Sequence, residues 1–162
     1  MTIDRSPSLN SQFPTVEMAT ITAILYHDFC ATDLFELDSR YQHKTGRQGQ
    51  ILTFTGTSLE LAVAKGYKSL ESVSVPLGTY FSILLASAPV ALSQLRSLGR
   101  YFLWYQTHLL KISSGYEWSA VLAYHTDFFN TRRREMAEGV YTGWGRVDRD
   151  LHGEHLLARP LA

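Results

Sequence analysis

Few side chains in this chain have the types and spacing to do chemistry, and the first are His152 and His155 in the run His-Gly-Glu-His. Three residues apart on a helix, two imidazoles could reach one ion. The run lacks the four-residue separation of the HExxH metalloproteases, and Asp148 and Glu154 are nearby carboxylates that could add a third ligand. Gly153 also loosens the helix that would hold them, so a frayed, solvated helix end is expected and no metal is assigned. His125 shares an apolar helix face with Trp118, Leu122 and Phe129, where desolvation would lower its pKa and suit it to general-base work. Asp127 points elsewhere on that helix, and no serine or cysteine stands at the short offset of a nucleophile elbow. His125 is therefore read as a core-edge histidine bonded to backbone, and His27-Asp28 and His108 in the same way. No catalytic residue and no cofactor is assigned. Triads assemble in space rather than along the sequence, so a hydrolase or metal-dependent enzyme around His125, or around His152 and His155, stays open as an alternative.

Arg132, Arg133 and Arg134 form the one charge cluster suited to phosphate. Consecutive helical residues fan over about 200° and are expected to put at least two guanidinia on solvent. Glu135 and Glu138 partly cancel that field, and cations in the last turn of a helix are favourable without any ligand. The cluster is the candidate for weak RNA or DNA contact, and a small nucleic-acid-binding module is a second alternative. The run from Gly139 to Gly145 is glycine-rich but has no lysine in the P-loop position, and it reads as a turn.

The elements that must position these groups are mostly helical. Residues 1–14 read as a disordered tail, and 15–44 as a helical pair. That pair comprises a helix over Glu17–Tyr26, with a short strand as its rival, and a helix from an N-cap at Thr32 carrying Leu34, Leu37 and Tyr41 on one face. Residues 45–74 read as a loop-rich connection: Thr45–Gly56 carries no helical period and holds a short extended Ile51–Phe54, and Thr57–Lys65 is a weak segment. A helical core over 75–157 follows. Ser74 and Pro76 precede Leu77, Tyr80, Phe81, Leu84 and Leu85 at helical spacing. Pro89 opens a helix carrying Leu92, Leu95, Leu98, Phe102, Tyr105 and Leu109 to about Ile112. Ser113-Ser114-Gly115 stops it, and a face of Trp118, Val121, Leu122, His125, Phe128 and Phe129 runs on until Glu138-Gly139. Thr142 or Gly143 caps a last helix with Trp144, Val147 and Leu151 on one side, and residues 158–162 are a tail. The predicted fold is all-α: one compact bundle of five or six helices with a flexible N-terminal tail. Its core includes Leu84, Tyr105, Trp118, Leu122, Phe128, Trp144 and Leu151.

Composition sets the bounds. The 162 residues fit one domain able to bury a core without staples. With 15 basic and 15 acidic residues the whole-chain field selects no polyanion, so only local clusters argue for one. The single cysteine, Cys30, excludes an internal disulfide and suits a reducing compartment. The longest apolar stretch, Tyr80–Leu92, is broken by Ser82, Ser87 and Pro89 and is too short to span a bilayer. The charged fraction, 19%, is lower than in average domains, so some apolar surface is expected to meet a partner chain. A soluble intracellular protein without a membrane partner is predicted.

The C-terminal half resembles the helical Gag-like proteins of eukaryotic retrotransposons of the Ty3 and DIRS type. The resemblance covers about Val75–Leu157. It rests on Tyr101, Tyr105-Gln106, Glu117-Trp118, Val121-Leu122-Ala123-Tyr124, Phe128, the arginines from Arg132, and Trp144, Asp148 and Leu151. It implies an all-α structural protein that self-associates as a homo-oligomer and carries no catalytic residue in this region. The chain departs from the pattern in having no zinc knuckle, no basic tail and no Gln-Gly-x2-Glu signature, and Phe128-Phe129-Asn130 interrupts the Phe-Arg pair. RNA packaging and lattice assembly are accordingly not carried over.

Overall fold

A computed structural model describes residues 8–38, 67–87 and 92–161. Expectations at Tyr41, Thr45–Gly56, Thr57–Lys65 and Pro89 fall outside the described residues. Among those residues the chain forms six α-helices and two 3₁₀ helices, with no strand. In order they are α1 (Leu9–Gln12), α2 (Met18–Leu25), a 3₁₀ helix (Ala31–Leu37), α3 (Leu70–Ser87), α4 (Leu92–Gly115), α5 (Trp118–Ala137), a second 3₁₀ helix (Thr142–Gly145) and α6 (Arg149–His155). The all-α expectation is met.

Several boundaries differ from those expected, each for a local reason. α1 lies inside the stretch read as a disordered tail. The Ser8 side chain caps it, and Leu9 and Phe13 pack on the core. The element after α2 starts behind Cys30, not Thr32, and is 3₁₀ rather than α. At three residues per turn, Ala31, Leu34 and Leu37 eclipse on one side, and all three are buried. The Tyr67 hydroxyl clamps this element, donating to the Thr32 carbonyl and accepting from the Phe35 amide at 2.9 Å each.

α3 begins at Leu70, six residues before Pro76, because Leu70 and Val73 extend the face of Leu77 back by two turns. By length and a mean hydropathy of 1.2 it is apolar enough to cross a membrane, yet Val73, Pro76, Leu77, Tyr80, Phe81, Ile83 and Leu84 are buried inside the bundle. α4 runs through Ser113-Ser114-Gly115 instead of stopping at Ile112. Both hydroxyls fold back 2.7 Å onto carbonyls of the last turn, at Leu110 and Lys111.

α2 and α5 end in the same way. The amide of Asp28 reaches the Ala23 carbonyl and that of His27 the Ile24 carbonyl, while Val140 and Gly139 repeat the pair on Glu135 and Met136. These are Schellman closures, which need a left-handed residue. Gly139 supplies it at φ 86°, but in α2 the position is held by His27 at φ 59°. The Arg133 guanidinium steadies that histidine by donating 2.8 Å to its carbonyl.

The expected last helix is two pieces. Trp144 must point into the bundle while Asp148–His155 runs along α5, so the chain breaks at Arg146–Val147 and restarts with the Asp148 carboxylate capping the Leu151 amide at 3.1 Å. Val147, expected on the apolar side, is exposed. The segment 158–161, read as a tail, is pinned: the Arg159 carbonyl accepts from the Glu117 amide, the Leu161 amide donates to the Gly115 carbonyl, and the Arg159 guanidinium pairs with the Glu117 carboxylate at 2.8 Å.

Trp144 is the hub of the core. It is fully buried and surrounded by Tyr80, Phe81, Phe102, Tyr105, Phe128 and Phe129, with ring centroids 5.1–6.5 Å from its own. α3, α4 and α5 each contribute two of these rings. The indole N–H ends 3.3 Å from the Met136 sulfur. Gly145 lets the loop close over it, since a Cβ there would lie 2.5 Å from the Tyr101 ring. Leu84, Tyr105, Leu122 and Phe128 are buried as well, whereas Trp118 and Leu151 are only partly buried at the margin. Trp118 instead donates its indole N–H to the Tyr67 carbonyl at 2.7 Å.

Candidate functional site

The arginine run does not present two guanidinia to solvent. Arg132 is buried: its guanidinium stacks 4.8 Å above the Phe128 ring and pairs with Glu135 at 3.1 Å and Asp148 at 3.4 Å. It ties α5 to the segment carrying Trp144. Arg133 is half-buried and spent on the His27 carbonyl, which leaves Arg134 as the exposed member. The fan over α5 was legible, but not that two of its three directions meet neighbouring elements.

His125 is not a core-edge residue bonded to backbone. It is fully enclosed, and its Nδ1 lies 2.6 Å from the Tyr105 hydroxyl, side chain to side chain. Its Nε2 is buried without a hydrogen-bond partner. With the hydroxyl donating to Nδ1, only one polar hydrogen is left unpaired; the reverse arrangement would strand both the hydroxyl hydrogen and the Nε2 lone pair. Burial lowers the His125 pKa to about 3 and raises that of Tyr105 well above the usual phenol. The pair is thus a neutral polar contact between α4 and α5, closed off from solvent.

His152 and His155 turn to different neighbours. The His152 ring stands edge-on to Tyr116, with Nε2 3.4 Å from the Tyr116 hydroxyl. His155 reaches across to α5, where Nε2 lies 2.6 Å from the Asp127 carboxylate. His108 stacks on Trp104, and its pKa is lowered by burial and by the neighbouring His152. A shallow cleft of about 450 Å³ opens between α4 and the turn after α5, lined by Gln94, Ser97, Leu98, Tyr101, Tyr141 and Thr142. Among the described residues its lining holds no charged group and no histidine.

The surface feature that stands apart is the outer side of α4. Leu98, Phe102, Tyr105, Leu109 and Ile112 bury its inner face at alternating four- and three-residue steps. Arg96, Arg100, Leu103, Thr107, Leu110 and Ser114 repeat those steps on the opposite side, all exposed. Leu103 and Leu110, one heptad apart, are 65% and 57% exposed. Side chains at this spacing form a straight seam along a helix. α4 carries no acidic residue.

No family model, no curated protein and no solved structure matches this chain.

Proposed function

We propose that the protein is a non-catalytic helical interaction protein that self-associates through the outer face of α4. The observation that carries this reading is the seam of Leu103 and Leu110, two leucines held exposed on a long, well-anchored helix. A two-fold antiparallel pairing sets Leu103 of one copy against Leu110 of the other and keeps the two Arg96–Arg100 segments apart; a parallel pairing would oppose them directly. The resemblance to retrotransposon Gag-like proteins supports the same reading. Several residues that carry it (Tyr105, Phe128, Trp144) build the hub of the bundle, as expected for a scaffold.

A stripe of six residues covers less than the roughly 800 Å² per partner of a standard stable interface, so the association is concentration-dependent. Light scattering across micromolar to millimolar protein tests it. Molar mass should rise towards the dimer in the parent, and the double variant Leu103→Asp, Leu110→Asp should stay monomeric with unchanged helicity. A parent that is monomeric throughout, or a variant that still dimerises, refutes it. Nucleic-acid contact is the lesser reading, reduced to Arg134 together with the exposed Arg96 and Arg100.

A further inference from the structure

Where α6 lies along α5, three metal-ligating side chains from the two helices converge on one point: Asp127 from α5, and Glu154 and His155 from α6. Their donor atoms all lie within 4.8 Å of one another. We propose that these three residues bind one divalent transition-metal ion of the zinc class, with water completing the shell, and so fasten α6 to α5. The inference is independent of self-association through α4.

The donor set selects the class of ion. One imidazole nitrogen and two carboxylate oxygens suit Zn²⁺, whereas Mg²⁺ and Ca²⁺ favour all-oxygen shells. With His155 neutral, the two carboxylates balance the charge of the cation. In a tetrahedral shell with bonds near 2.0–2.1 Å, neighbouring donor atoms sit about 3.3 Å apart. Asp127 and His155, now hydrogen-bonded at 2.6 Å, would open slightly and Glu154 would swing in. Asp127 and Glu154 are exposed, so these movements meet little resistance.

Placement on two elements gives the ion a structural consequence. α6 is seven residues long, too short to hold itself, and His155 closes its last turn beside the buried Leu156. An ion shared with Asp127 would restrain that turn. His152, the other histidine of the run, faces Tyr116 and takes no part.

Calorimetric titration of ZnCl₂ into untagged protein at pH 7.5 tests the site. Saturable binding of one ion per chain is expected, with Asp127→Asn and His155→Ala each weakening it at least about tenfold. His152→Ala should leave it unchanged, and excess Mg²⁺ should not compete. Amide exchange of residues 150–157 should slow on zinc addition in the parent and not in Asp127→Asn; circular dichroism confirms that each variant is folded. The proposal fails if the parent shows no saturable binding below millimolar zinc. It fails equally if the two ligand variants bind as the parent does, or if His152→Ala is the variant that loses the ion.

Discussion

Lowering the pH from 7 to 4.5 should destabilise this fold through His125, the most deeply buried imidazole among the described residues. The buried ring has a pKa of about 3, against about 6.5 in the unfolded chain. A lowered histidine contributes stability that is complete above the unfolded value. That stability is lost as pH falls from 6.5 towards 3, because only the unfolded chain takes up the proton. At pH 4.5 the loss is two pH units at 1.36 kcal/mol each, about 3 kcal/mol, a large share of a typical 5–15 kcal/mol. His27 and His108 act in the same direction through partial burial, while Asp33 and Glu36, whose pKa values burial raises, oppose it at lower pH. A comparison isolates the one group. His125→Asn keeps an acceptor near the Nδ1 position for the Tyr105 hydroxyl and cannot titrate. Urea unfolding at both pH values, followed by circular dichroism, should show the parent losing about 3 kcal/mol more than the variant. Equal losses in the two proteins would mean that His125 is hydrated or freely protonated, and would overturn the sealed Tyr105–His125 contact.

Trp144→Ala should cost about 3–5 kcal/mol and bring the domain close to unfolding, read by the urea midpoint; near-native stability would contradict its place at the hub. Arg132→Ala should destabilise by about 2 kcal/mol or more by stranding Glu135 and Asp148, while Arg134→Ala should stay within about 0.5 kcal/mol in the same assay. Loss of RNA binding in Arg132→Ala would therefore report damage to the fold, whereas a loss in Arg134→Ala at low salt would report a contact. Gly145→Ala should cost about 1–3 kcal/mol, because the methyl meets the Tyr101 ring; a neutral thermal melt would show that the ring can yield.

Helical periodicity was legible wherever one face of a long helix is buried. The stripe Leu98, Phe102, Tyr105, Leu109 and Ile112, and the run from Trp118 to Phe129 ending at Glu138-Gly139, could be read because burial of a single face writes a 3.6-residue period into the sequence. The same reading could not tell that Trp118 would sit at the margin and Trp144 at the centre. Both are aromatics at helical spacing, and only the neighbours that α3, α4 and α5 bring around Trp144 separate them.

What the sequence by itself determined is therefore the class of fold, the course of its long helices, and the lack of a linear catalytic motif, all properties of local patterns. What only the tertiary structure decided is where polar side chains end. Arg132 reaches Asp148, His125 meets Tyr105, His155 meets Asp127, and Arg133 holds the His27 carbonyl across more than a hundred residues. Each partner comes from another element. Its identity depends on how helices pack rather than on how residues are spaced, so no window of sequence contains it.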